Sequence, residues 1–217
     1  MGIFSKMIDF ILHIDAYIID IIKNFGVFSY LVIGLIIFIE TGLVFVPFIP
    51  GDSILFVVGL LSSQGSLNLW LIIAVLILAA IIGDTCNYFI GSFFGDKLLK
   101  NANVVKYIGK HIETTKAFFK KYGGIAIIYA RFVPIVRTIA PFLAGISDMK
   151  YKQFILYNVV GGAVWVVIVT LAGYFLGNLS VVKNNLTFII LLVVFISIVP
   201  IIIAIIRSKK KTKTKNI

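Results

Sequence analysis

Four ionisable side chains sit in apolar sequence that proline breaks: Glu40 and Asp52 on either side of Pro47, Pro50 and Gly51, and Arg131 and Arg137 on either side of Pro134. An arginine guanidinium is planar, stays charged at any physiological pH, and can grip a phosphate through two parallel N–H donors. Two arginines six residues apart therefore suit an anion, and Arg131 and Arg137 are the expected substrate-binding groups. Glu40 and Asp52 are the expected proton-coupling groups, because a carboxylate that loses its arginine to a substrate phosphate in a sheltered site can take up a proton instead. An ionised residue at mid-bilayer costs about 2.5–3.5 kcal/mol, so four unpaired ones would cost on the order of 10 kcal/mol. The two broken stretches are thus expected to meet in a neutral cluster around a polar cavity. The plainer alternative is a pair of buried salt bridges that only lock the breaks together.

Other polar residues carry weaker signals. Asp84, in Gly83-Asp84-Thr85-Cys86-Asn87-Tyr88, reads as an interfacial residue, snorkelling or hydrogen-bonded, in preference to a proton relay. Asn158, Gly161, Gly162 and Trp165 share one apolar stretch, where small residues let helices approach, and packing is their default reading. Asp84 and Asn158 are kept as accessory candidates. Cys86, the single cysteine, reads as a small hydrophobe. His13 and His111 have no metal-ligand spacing, and neither a phosphate-binding loop nor a Gly-x-Ser-x-Gly elbow occurs. The expectation is a protein that is not an enzyme and holds no metal or cofactor.

The elements that must position these residues are membrane elements. Of 217 residues 60% are apolar and only 13% charged, where a soluble domain carries roughly 25%. Such a chain cannot cover a water-facing surface. Its net charge of +11 is concentrated in residues 207–217, where a basic tail suits an anionic leaflet and makes nucleic acid an unneeded partner. Residues 1–24 carry Lys6, Asp9, His13, Asp20 and Lys23 along one helical stripe, which predicts an amphipathic interfacial helix. Because Asp9, Asp15 and Asp20 interrupt the apolar run that a signal peptide needs, it is expected to be retained.

Within a membrane domain spanning 25–206, residues 25–41, 67–93, 151–177 and 186–206 can cross a bilayer. Residues 42–63 and 124–147 are long enough to cross but are interrupted, the first by Pro47, Pro50 and Gly51 and the second by Pro134 and Pro141. Proline removes a backbone donor and clashes with the preceding turn. Non-helical backbone at membrane depth survives only inside protein or beside water. Both stretches therefore read as re-entrant hairpins. With four crossings the termini share a compartment. Placing them and the basic linker 96–123 in the cytoplasm puts 17 of the 20 Lys and Arg residues there, as the positive-inside rule expects. The halves echo one another: Val46-Pro47 recurs as Val133-Pro134, Gly59 as Gly145, and Tyr88-Phe89-Ile90-Gly91 as Tyr174-Phe175-Leu176-Gly177, at offsets of 86 or 87. One hairpin plus one crossing, repeated, inverts the second copy relative to the first, a plan common among secondary transporters. The expected fold class is an all-α integral membrane protein, an inverted repeat of re-entrant hairpin plus transmembrane helix with extra N- and C-terminal helices. The sequence carries no signal for oligomeric state.

The motifs Glu40 leading to Pro47-Phe48-Ile49-Pro50-Gly51-Asp52, Gly83-Asp84 with Tyr88 and Gly91, Arg131-Phe132-Val133-Pro134-Ile135-Val136-Arg137, and Ala144-Gly145 followed by Asn158 and Trp165 resemble the DedA family of bacterial membrane proteins, related to the VTT-domain lipid scramblases. The resemblance runs from about residue 25 to residue 180. It implies facing re-entrant hairpins, movement of lipids across the bilayer (undecaprenyl phosphate in some members), dependence on the proton-motive force, and functional roles for Glu40, Asp52, Arg131 and Arg137. The leading expectation is a translocase for undecaprenyl phosphate or a phospholipid in the bacterial cytoplasmic membrane. The alternatives are a proton-coupled exporter of small cations and a membrane enzyme acting on lipid phosphates.

Overall fold

A computed structural model describes residues 14–43, 51–100, 119, 121–147, 149–177 and 179. Every regular element in it is a helix. In chain order these are α1 (Ile14–Phe25), a single 3-10 turn (Gly26–Phe28), α2 (Ser29–Gly42), α3 (Gly51–Ser63), α4 (Leu69–Lys100), α5 (Ile125–Ala130), α6 (Pro134–Ile146) and α7 (Tyr151–Gly177). Among the described residues, three segments are long and apolar enough to cross a membrane: Ala16–Gly42, Leu69–Phe94 and Tyr151–Gly177. Large apolar side chains on them, such as Trp70, Leu78, Ile168 and Phe175, are exposed, as a hydrocarbon solvent allows. The molecule is an integral membrane protein. The second and third segments fall where the sequence placed crossings. The first begins at Ala16, inside the stretch expected to lie on the surface. It is not straight: Gly26 has φ +51, a left-handed conformation that glycine tolerates, and it separates α1 from α2. Ile14 and Ile18 of α1 are buried in the core beside α3. The expected crossing at 186–206, the basic tail, and most of the lysine-rich linker lie outside the described residues.

Local chemistry fixes several element ends. Asn68 caps α4, its Oδ1 accepting from Leu71 N at 3.0 Å, while Asn68 N donates to Tyr30 Oη at 2.7 Å and so ties the α3–α4 connection to α2. Tyr88 Oη donates to Met149 O, and its ring stacks on Phe154 at 4.6 Å, which fastens α4 to the start of α7.

Among the described residues the first interrupted stretch holds the short apolar helix α3, and the second holds α5 and α6. In the second, the chain leaves α5 at Ala130, turns through Arg131–Val133, and enters α6 with Val133 extended (φ −115, ψ 106) and Pro134 in the first turn. A proline there is preorganised for the helix, because its missing N–H has no partner to lose. Pro141 does not break the chain as expected, because α6 continues through it to Ile146. Its ring leaves the carbonyl of Arg137 without a helical donor, and the packed neighbours of α6 hold the loosened turn. Pro47 and Pro50 lie outside the described residues, whereas Gly51 opens α3.

Packing crosses between the halves. α3 lies along α7, and α6 along α4. Glycines make this possible: a Cβ on Gly59 would strike the Thr170 carbonyl and come within 3.0 Å of Tyr174 N, and one on Gly145 would strike the Tyr88 carbonyl and come within 2.7 Å of Ser92 N. Gly59 packs beside Tyr174 and Gly145 beside Tyr88, positions related by the 86-residue offset seen in the sequence, although the second contact is displaced by about one helical turn.

Gly59→Ala and Gly145→Ala should each lower stability by about 1–3 kcal/mol, because the added methyl meets backbone rather than a movable side chain. Thermal unfolding of purified protein in detergent measures this. Midpoints equal to wild type in both variants would mean the helices do not interlock at these glycines.

Candidate functional site

The charged side chains converge where α2, α3, α4, α6 and α7 meet. Glu40 is in the last turn of α2, Asp52 in the first turn of α3, and Arg137 in the first turn of α6. Arg137 bridges the two acids: Nη1 donates to Asp52 Oδ1 at 2.7 Å and Nη2 to Glu40 Oε1 at 2.8 Å. Glu40 reaches this position because Gly51 has no side chain, since a Cβ there would lie 2.9 Å from Oε2. The carboxylate therefore sits against the start of α3, where the helix dipole favours negative charge. Arg137 and Glu40 are buried, while Asp52 retains 21% of its side-chain exposure.

Arg131 does not join this group as expected. Its Nη2 donates to Asp84 and to Asn158, and all three residues are buried. The neutral cluster of two acids and two arginines is therefore replaced by two ion-pair groups, Arg137 with Glu40 and Asp52, and Arg131 with a third acid, Asp84. The interfacial reading of Asp84 fails for the same reason: on α4 it faces inward to a guanidinium, not outward to headgroups. Gly161 and Gly162 are the complement of Arg131, because a Cβ on either would lie 3.2 Å from its side chain. Asn158 also donates through Nδ2 to the Ile81 carbonyl at 3.2 Å, which holds α7 to α4.

Two further polar residues contact these groups, Trp165, which the sequence marks only as packing, and Asn87, which it does not mark. Trp165 donates its indole N–H to Asp52 Oδ1 at 2.8 Å, and its ring lies 4.8 Å from the Arg137 guanidinium and 5.9 Å from that of Arg131. The available signal was an indole N–H at the centre of a crossing, where a buried donor requires an acceptor. Asn87, one turn beyond Asp84, donates to the Thr41 carbonyl at 3.1 Å and the Thr138 carbonyl at 2.9 Å. It thus binds the residues that follow Glu40 and Arg137. Arg131 Nε and Nη1, Arg137 Nε, Glu40 Oε2 and Asp84 Oδ1 are buried without a hydrogen-bond partner among the described residues. The site therefore has donors and acceptors to spare for a polar ligand or water. No group of three metal-ligating side chains occurs among the described residues.

Comparison with known proteins adds the lineage. The VTT domain family matches residues 49–175, a stretch that holds Asp52, Asp84, Arg131, Arg137, Asn158 and Trp165. Over 212 residues, 97% of each chain, the sequence is 46% identical to Protein DedA of Escherichia coli K12. The chain belongs to the DedA family. Other DedA-like relatives are an uncharacterised membrane protein of Mycobacterium leprae, 43% identical over 78% of this chain and 76% of its own, and the inner membrane protein YghB of Escherichia coli K12, 31% identical over 82% and 78%. No solved structure gives a significant match.

In this DedA family protein, Asp84→Asn leaves the Arg131 charge buried beside a neutral partner and should destabilise by about 3–5 kcal/mol. Arg131→Gln should act similarly, and the double variant should cost less than the sum of the two by about 1–3 kcal/mol. Strict additivity in a detergent unfolding cycle would contradict the pairing.

Proposed function

We propose that this protein is a lipid-phosphate translocase, a flippase or scramblase that moves undecaprenyl phosphate or a phospholipid across the bacterial cytoplasmic membrane with the help of the proton-motive force. The observation that carries the reading is Arg137, a fork-shaped cation sealed in an apolar membrane protein and shared by two carboxylates from different helices. A guanidinium matches two phosphate oxygens as well as it matches two carboxylates. A headgroup can therefore replace a carboxylate on Arg137 without leaving a bare charge, while its prenyl or acyl chains stay in the bilayer. Arg131, with two guanidinium nitrogens, Nε and Nη1, free of partners among the described residues, is the second substrate contact in this reading.

Charge counting supports proton coupling. The two groups hold three acids, Glu40, Asp52 and Asp84, against two arginines. One bound proton balances them, and an arriving phosphate alters the balance again. Glu40 and Asp52 are the proton-coupling groups of the proposal, and Asp84 and Asn158 hold Arg131 in place. A potential of 100 mV adds about 2.3 kcal/mol per charge moved across the membrane.

The architecture of the proposal is an inverted repeat in which residues 42–63 and 124–147 are re-entrant hairpins. The exchange of partners between α3 and α6, and the recurrence of the Gly59–Tyr174 pairing as Gly145–Tyr88, support it. The N- and C-termini and the linker 96–123 then face the cytoplasm, with the tail 207–217 on its anionic leaflet. The cation-exporter alternative is weakened by Arg137, which already occupies both carboxylates that would have to bind the cation.

Reconstituted into vesicles, the protein should move unmodified labelled lipid. Arg137→Lys, which keeps charge but loses the fork, should slow transport per folded protein by about tenfold or more, with thermal unfolding in detergent run alongside to measure the stability lost with the bridge. Accumulation driven by a pH gradient should be lost in Glu40→Gln and Asp52→Asn. Wild-type transport rates in Arg137→Lys would sink the phosphate role, and chemically altered lipid would point to an enzyme.

For topology, single cysteines at Ser66 and Lys110 in a Cys86→Ser background should separate. An impermeant thiol reagent on intact cells labels the first and spares the second. Labelling at Lys110 would overturn the orientation.

A further inference from the structure

The two carboxylates on Arg137 are not equivalent. Glu40 is enclosed, 1% exposed, with its oxygens against the start of α3 at Gly51. Asp52 is 21% exposed and is the open edge of the group. Its Oδ1 accepts two hydrogen bonds that come from two different helices: Arg137 Nη1 from α6 at 2.7 Å, and Trp165 Nε1 from α7 at 2.8 Å. The same indole lies 4.8 Å from the Arg137 guanidinium.

We propose that a phosphate displaces Asp52, and not Glu40, from Arg137, and that Trp165 is the positioning residue that keeps the displaced carboxylate hydrogen-bonded. This deepens the translocase reading and rests on it. A ligand arriving from the exposed side meets Asp52 first. Losing Arg137 leaves Glu40 with no hydrogen-bond donor among the described residues, since its other oxygen has none. Losing Arg137 leaves Asp52 with the indole N–H and an open face. The cost of releasing a carboxylate is therefore lower at Asp52, because a charged group stripped of its last partner inside a protein loses far more than one that retains a donor. The ring meanwhile gives the guanidinium a π face to rest on while its Nη1 changes partner. Trp165 thus contributes at both steps of the exchange without touching the ligand.

The probe is dodecyl phosphate, titrated calorimetrically into the purified full-length protein in detergent. Asp52→Asn removes the competing carboxylate and should tighten binding by about tenfold, whereas Glu40→Gln, the same change in charge, should not tighten it. Trp165→Phe keeps an aromatic face but loses the N–H. It should weaken binding by about tenfold in the wild-type background and have little effect once Asp52 is Asn. The chain has two tryptophans, so Trp70→Phe leaves Trp165 as the sole reporter, and its emission should shift saturably with dodecyl phosphate. Equal tightening in Asp52→Asn and Glu40→Gln, tightening in Glu40→Gln alone, or a Trp165→Phe effect indifferent to Asp52 would each overturn the proposal and leave the translocase reading standing. No saturable binding by the wild type, together with no lipid movement in vesicles, would overturn both. If Trp165→Phe does not fold, the contrast between Asp52→Asn and Glu40→Gln decides alone.

Discussion

The structure depends on the compensation of buried charge. Glu40, Asp84, Arg131 and Arg137 have almost no contact with solvent, and in a membrane protein there is no surface to which they can withdraw. Each ion pair therefore fixes a relation between helices. Arg137 sets α6 against the ends of α2 and α3, and Arg131 sets the turn before α6 against α4 and α7. Much of the surrounding sequence makes room for this. Gly51 admits the Glu40 carboxylate, Gly161 and Gly162 admit the Arg131 side chain, and Gly83 lets α2 approach α4 beside Glu40, where a Cβ would strike Thr41 Oγ1. Removing side chains here serves electrostatics as much as van der Waals contact.

The fold was legible where one physical cause dominated. Residues 151–177 and the crossing from about residue 67 are read from apolar length alone, which the bilayer thickness dictates. That the acids of the first break would meet an arginine of the second was readable from charge balance; that Arg137 alone takes both acids was not. Nor was the position of Arg131, because composition counts charges without saying which are neighbours. Asp84 was assigned to the interface from its nearness to the end of an apolar run, yet α4 continues to Lys100, well beyond the expected boundary, and Asp84 lies in its interior. Pro141 shows a similar limit. A proline's local preference is to end a helix, and tertiary packing carries α6 through it. Trp165 and Asn87 were hidden for another reason: each acts through a single polar group on an otherwise ordinary packing residue.

Family membership and geometry bear on different questions. Near full-length identity to Protein DedA establishes the lineage and the kind of molecule, a multi-helix membrane protein. The arrangement of one arginine between two carboxylates, with an indole on its face and a second arginine beyond the same ring, is what gives a phosphate reading its physical content. Asn87 adds a mechanical link between the parts, since one amide holds the backbone just after Glu40 and just after Arg137.

The partners in this core are also far apart along the chain, and that has a consequence during synthesis. Glu40 is 97 residues from Arg137, and Asp52 is 113 from Trp165. At about 5–20 residues per second, a ribosome needs roughly 5–20 s to make the arginine after the glutamate. For that interval α2 and α3 have neither their counter-ion nor α7 to pack against. The N-terminal half must wait, with its acids protonated, hydrated or sheltered by the insertion machinery, until the C-terminal half emerges. Assembly of the charged core is therefore a late event.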